Sequence, residues 1–375
     1  MAIVTRYFST AAAGDGTGSS WANRAILFTG GAWSTVITGF DFSGSDALLP
    51  LIGPGTYSIT AALAAGSFTN APTIANLMMA HSCDSSGVAL TPPDPDWVSA
   101  QAAWDATALP VLATTTNIAT TSLNNAIWRL IKFTASGRTG GSAISGFKAM
   151  DWCVVDDSSN NASAAAIGVA NANITNSVIT MTGAAYDYAL NLGINTLADN
   201  NRIVGVTGSS GDRSGVLVNG TTAPGTLTRN TIISHGGLGV EGGSANAAQL
   251  FLCANNVIAN NGGTGIKPNS TAAQTAVHVV SRNMITGNGG YGVDAQSAAN
   301  VWAANNRLRD NTSGNFNGMG NYPTDQSNYT TDGDDQEYVD SANGDFRIRA
   351  GSVIWGSGYG AADQPRRRQI RNRFI

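Results

Sequence analysis

The chain has 375 residues, 42% of them hydrophobic and only 12% charged, with a net charge of −4. That balance supplies apolar surface for a large core, excludes a chain too polar to fold, and gives no global attraction to nucleic acid. Three cysteines, Cys83, Cys153 and Cys253, are too few and too odd in number for a disulfide framework. No CxxC or His/Cys cluster suggests zinc, so neither metal nor cofactor is expected.

Residues 1–45 read as an N-terminal cap. Its opening, Met1-Ala2-Ile3-Val4-Thr5-Arg6-Tyr7, has no basic-then-apolar secretion signal, and no apolar stretch reaches membrane length. Synthesis in a host cytoplasm, without a membrane span, is the expectation. Residues 46–320 read as stacked coils, with an irregular insertion at about 70–110. Within it, Asp96 is placed to cap a short helix carrying Trp97, Ala100 and Trp104 on one face. Packing across the early coils is one use for that segment, and a sugar-binding lid is the other.

Strand-like runs follow at Trp128-Arg129-Leu130-Ile131 and Asp151-Trp152-Cys153-Val154, which places Cys153 inward. Then comes the dominant signal. Asn176, Asn201, Asn230, Asn256, Asn283 and Asn306 are each followed by one variable residue and an aliphatic one, at gaps of 25, 29, 26, 27 and 23 residues. A period in the twenties marks a solenoid, because a single repeat cannot bury its own apolar face. Segments with an aliphatic residue directly after glycine recur in step at Gly215-Val216, Gly239-Val240, Gly265-Ile266 and Gly292-Val293, and a third run precedes the next asparagine, as at Leu250-Phe251-Leu252. Three short strands per turn, separated by Gly/Asn/Ser corners, define a coil of a parallel β-helix. A leucine-rich repeat would show a leucine ladder, which is absent.

The expected inward stack is Val178, Ile203, Ile232, Ile258, Ile285 and Leu308, with Ser177, Arg202, Thr231, Val257, Met284 and Arg307 outward. The six asparagines are expected to stack at one corner as a structural ladder, since Asn tolerates left-handed backbone and its amide bonds to copies above and below. Glu241, Lys267 and Asp294 occupy equivalent outward positions on three successive coils. With rungs about 4.8 Å apart they are expected to touch as an acid–base–acid column. They are the catalytic candidates, against the plainer reading of a salt-bridge ladder. Asp156, Asp157, Asp187 and Asp212 fall in turns, where acids cap backbone amides. The cluster Asp332, Asp334, Asp335, Glu337 lacks the ordered spacing of a calcium loop. His81, His235 and His278 are scattered.

Residues 321–375 read as a C-terminal cap and tail. Arg366, Arg367, Arg368, Arg371 and Arg373 place five cations in eight positions, with Phe374 and Ile375 beyond. A solvated end is one reading; docking on an acidic partner surface, with Phe374 and Ile375 as apolar anchors, is the second, and nucleic-acid contact is a weaker third.

Three segments carry a family resemblance. Tyr7-Phe8-Ser9-Thr10 through Gly14-Asp15-Gly16-Thr17-Gly18-Ser19-Ser20-Trp21-Ala22, the turn Gly53-Pro54-Gly55-Thr56-Tyr57, and Gly344-Asp345-Phe346-Arg347-Ile348 with Gly356-Ser357-Gly358 resemble the opening, first-coil and closing elements of the pectate-lyase-like superfamily. The resemblance implies an all-β fold, a single right-handed parallel β-helix. It is weak for function, since that superfamily holds lyases, hydrolases, epimerases and non-catalytic virion parts. A meagre catalytic inventory and an Arg-rich end favour a non-catalytic structural component of a bacteriophage particle: a tail, baseplate or capsid-surface appendage. Its expected partners are other virion proteins, further copies of itself (a trimer first) and host-surface polysaccharide. The alternative is a polysaccharide lyase or glycoside hydrolase on the same scaffold.

Overall fold

In a computed structural model, the structure describes residues 2–44, 46–68, 70–92, 109–115, 121–138, 140–160, 164–183, 185–206, 214–219, 225–242, 251–268, 278–295 and 301–318, with two short strands at 338–340 and 345–348. The chain winds as a parallel β-helix, three strands to a coil. Strands from successive coils pair in parallel to give long sheets of 12, 10 and 10 strands, in chain order along the axis. The first coil takes Ala47–Ile52 in the first sheet, Gly55–Ser58 in the second and Leu63–Ala64 in the third. The last described coil takes Val301–Ala304, Arg307–Arg309 and Gly314–Asn317. Crossovers between parallel strands favour the right-handed coil that the resemblance implied.

Ahead of the coils, Ile3–Ser9 pairs in parallel with Ala47–Ile52 and lengthens the first sheet by one rung. Ala25–Ile26 covers only its end, at Phe8 and Ser9. Near the other end, Tyr338–Asp340 and Asp345–Ile348 form an antiparallel pair. The Trp97/Trp104 segment and the arginines from Arg366 to Arg373 lie outside the described residues.

Alternation sets the core. In the second sheet Ile179, Ile203, Ile232, Ile258, Ile285 and Leu308 are in register, and none is exposed. Each such side chain leaving water contributes about 1.5–3 kcal/mol. The sequence expectation needs one correction here. Val178 is not in the stack; it pairs with Arg202 on the outer face and packs against Leu109, Leu130, Trp152 and Val154. Ile179 takes the inward place, since slipping by one residue reverses every side chain of a strand. Cys153 is inward and fully buried.

The first corner, between the first and second sheets, turns on a residue with positive φ. Leu130, Trp152, Asn176, Asn200, Arg229, Asn255, Arg282 and Asn305 all have φ between 50° and 57°. The ladder residue is the next one along. Asn201, Asn230, Asn256, Asn283 and Asn306 are buried, and the Oδ1 of each of the last four accepts the backbone N–H of the one before at 2.8–3.0 Å. The side-chain Nδ2 of the donor residue reaches the same oxygen and also a carbonyl of the preceding coil, as from Asn230 to Ala198. Asn176 therefore stands one position off: it is the left-handed residue, and Ser177 holds the ladder place, giving its N–H to Asn201 Oδ1 at 2.9 Å. Cys153 precedes it in the same column, its N–H bonded to Ser177 Oγ. Backbone strain of about 1–2 kcal/mol per non-glycine corner is offset by these buried, fully paired amides.

A second ladder runs along the corner between the second and third sheets. His235, Asn261, Asn288 and Asn311 follow one another, each N–H given to the next asparagine's Oδ1 at 3.0–3.2 Å.

Candidate functional site

With corners and core accounted for, chemistry is left to the outer faces. On the third sheet, Leu217, Glu241 and Lys267 are in register, and Asp294 stands beside Asn317 on the following rungs. The structure thus brings the three candidates into one column. Each is half-buried. Tyr188 donates its hydroxyl to Glu241 at 3.2 Å, and the Asn317 amide donates to Asp294 at 3.0 Å. The column begins after an apolar residue, Leu217, so no charged groove continues toward the earlier coils.

The outer face of the first sheet carries more charge, and no candidate had been placed there. His81, Arg129, Asp151, Thr175, Asp199 and Thr228 occupy one column on successive rungs. Asp151 faces Arg129 at 3.4 Å and accepts from Thr175 Oγ1 and Asn176 Nδ2, both at 2.8 Å. Asp199 accepts from Thr228 Oγ1 at 2.7 Å and from both Nε and Nη2 of Arg229. The fork of Arg229 is a charge-assisted bidentate contact, and it holds that guanidinium charged. Burial pushes the His81 imidazole below its ordinary range, while its Nδ1 sits 2.7 Å from the Ser82 carbonyl. On the second sheet Lys132 pairs with Asp156 at 2.8 Å.

Carboxylates on these faces are therefore held by cations, hydroxyls or amides. A nucleophile or general acid needs a lone pair or proton aimed at a reacting atom. Here the oxygens accept from their own neighbours. The Asp–Arg pairing is readable as a spacing, since Arg129/Asp151 and Asp199/Arg229 sit about one coil apart.

Inside the coil lies a pair that the turn reading missed altogether. Asp157, inward and fully buried, bonds the equally buried Arg138 guanidinium, which also donates to the carbonyls of Gly141 and Ala165. Arg138 and Asp157 hold the second-to-third-sheet corner together where the regular ladder has not begun.

The histidines are structural in setting. His235 is fully buried, and the Tyr186 hydroxyl lies 2.8 Å from its Nδ1. Tyr186 comes from two coils earlier, and the coil between must make room. Gly205 does so: a Cβ there would fall 2.4 Å from both His235 Nδ1 and the Tyr186 hydroxyl. Desolvation pushes His235 and His278 down to about 4. Among the described residues no group of three or more His, Cys, Asp or Glu side chains is disposed to hold a metal ion. No helix among them is long and apolar enough to cross a membrane.

No family model matches the chain, and no curated protein matches it. Solved structures do. Pectate lyase Pel9A is similar over 93% of this chain and 90% of its own, at 14% identity and a TM-score of 0.46. The periplasmic alginate epimerase AlgG is similar over 76% of this chain and 69% of its own, at 11% identity and a TM-score of 0.34. The likeness is one of fold. The parallel β-helix of this chain rests on its own strand pairing.

Proposed function

We propose that the chain is a non-catalytic structural component of a bacteriophage particle, a tail, baseplate or capsid-surface appendage. In this reading it is made in the host cytoplasm, contacts polysaccharide along its polar outer faces, and docks on other virion proteins through its Arg-rich end. One observation carries this reading: the Asp151 and Asp199 carboxylates of the most polar face are tied by Arg129, Arg229, Thr175, Thr228 and Asn176. Such a face offers a fixed pattern of donors and acceptors at about 4.8 Å intervals, suited to an elongated polar chain. Rigidity supports the same role. Ladder amides leave each coil bonded to the next, so opening one coil exposes its neighbours. Mass spectrometry of purified particles and micrographs of particles carrying a labelled chain test it. A chain absent from washed particles ends the reading. Deleting residues 364–375 should leave a folded protein that no longer joins its assembly. Association should also weaken with salt, because exposed charge is screened over about 8–10 Å.

A second reading, a polysaccharide lyase or glycoside hydrolase, has one observation in its favour. Asp151 and Asp199 stand on the same column two rungs apart, about 9.6 Å by strand spacing, close to the wide separation of inverting glycosidases. Incubation with acidic and neutral polysaccharides, followed by assay of new reducing and unsaturated ends, separates the two. Turnover abolished by Asp199→Asn would make this face an active site.

A further inference from the structure

The outer face of the second sheet does not behave like an outer face. Over the last coils Val257, Ala259, Met284, Thr286, Arg307 and Arg309 all point away from the coil interior, yet none exceeds 7% exposure. The corners that bound the same strands are open: Asn260, Arg282, Gly287 and Asp310 are exposed. Cover therefore comes from something lying across the flat of the sheet rather than from the turns beside it. The first sheet offers the contrast, since on the equivalent coil Trp302 remains 37% exposed on its outer side.

We propose that this face is the docking surface for the chain's own segment after the last coil, residues 319–348, which straps the last coils and leaves the Arg-rich end free to dock elsewhere. Three features of the sequence and structure favour that occupant. Position comes first: the last coil ends at Asn317, one strand beyond the face on the third sheet, and 375 minus 318 leaves 57 residues to follow. Reach is ample, because the three rungs concerned span only about 10 Å and an extended chain covers about 3.3 Å per residue. Charge is the most specific. Arg307 and Arg309 bring two buried guanidiniums to the end of the face, and Asp310 meets Arg309 at 2.7 Å. The segment that follows carries seven acids between Asp325 and Asp345 and no Lys or Arg between Arg309 and Arg347. Buried cations are kept beside acids, and apolar residues such as Val257 and Met284 need an apolar cover. The same segment supplies both, with Tyr322, Tyr329 and the antiparallel pair Tyr338–Asp340 and Asp345–Ile348. The acids of 332–337, which lack calcium-loop spacing, find a use as partners of the arginine rung.

The test uses the full chain. Arg307→Lys replaces the guanidinium by an amine that carbodiimide joins to a touching carboxylate. Cross-linked peptides joining residue 307 to the 325–345 stretch are expected. Cross-links to other regions, none at all in a protein that keeps its β signal, or a covalent dimer joining two chains would each overturn the proposal. The dimer would assign the face to self-association. A second measurement reads the cover directly in the full chain through Thr286→Cys, whose thiol should react at least about tenfold more slowly than that of Trp302→Cys on the exposed outer side of the first sheet. Equal reactivity in the two, with the β signal intact in both, would overturn it.

Discussion

The early and late coils solve the same packing problem in different ways. From Trp128 to Tyr186 the interior is filled by large, irregular side chains. Trp128 stacks edge-on to Phe133 at 5.5 Å and lies 6.2 Å from Trp33, and a buried Arg138–Asp157 pair braces one corner. In that half the first-corner column holds Ile131, Cys153 and Ser177, three different chemistries in three coils. The first corner becomes a ladder of asparagines from Asn201 and the second from Asn261, and the second-sheet core becomes a column of isoleucines. The late half is uniform because each coil needs the same partner above and below. The early half is bespoke, each coil fitted to neighbours unlike itself.

That contrast can be broken in graded steps. Ile258→Asp puts a carboxylate where only aliphatic side chains are in reach, and should cost more than about 4 kcal/mol, enough to unfold the late coils in a denaturant titration followed by circular dichroism. Asp157→Ala strands the Arg138 cation in the early interior with only carbonyls for company, at about 3–5 kcal/mol by the same titration.

Acid should act at the seam. His235 heads the second ladder and has a folded value near 4, against 6.5 in the unfolded chain. A lowered histidine contributes stability that is complete above pH 6.5 and lost as pH falls toward 4, because the unfolded chain binds the proton first. The loss should reach roughly 3 kcal/mol at pH 4 from this group, with His278 adding in the same direction. His235→Asn continues the ladder with its own residue type, so the melting temperature of that variant should fall less steeply between pH 6.5 and 4.

Asn256→Ala leaves the Asn230 N–H and amide without their acceptor, at about 2 kcal/mol, whereas Ser177→Ala in the same column should cost less. Equal losses at the two sites would show that the uniform half gains nothing from its uniformity. Lys267→Met should change stability by under about 1 kcal/mol, since the half-buried Lys267 still meets solvent that screens its charge. Loss of any measured glycan turnover in that variant would turn the third-sheet column into a catalytic one.

Legibility follows the same divide. The period, the three strands per coil and the isoleucine column were readable because the late coils repeat one solution. The error of one residue at Asn176 arose where uniformity stops: Asn176-Ser177-Val178 imitates the Asn-x-aliphatic unit, but Val178 and Ile179 are both aliphatic and only the register decides which faces in. The left-handed residue was also misplaced, since Arg229 and Arg282 adopt it as readily as asparagine does. The second ladder was in plain view, five residues beyond the first at Asn261, Asn288 and Asn311, with the same gaps of 27 and 23. Arg138–Asp157 had no such signal. A single buried pair has no period, and its partners meet only after the coil has closed.

The backbone donors of both asparagine ladders point one way. At each ladder position the backbone N–H goes to the side-chain oxygen of the asparagine one coil later, while the side-chain amide also reaches a carbonyl of the coil before. A chain leaving the ribosome therefore finishes a coil with donors still waiting, and the next two dozen residues must emerge before those amides are satisfied. In the late half each ladder N–H thus finds its acceptor only once its successor is in place, so a product interrupted between coils would end with its last ladder N–H unpaired.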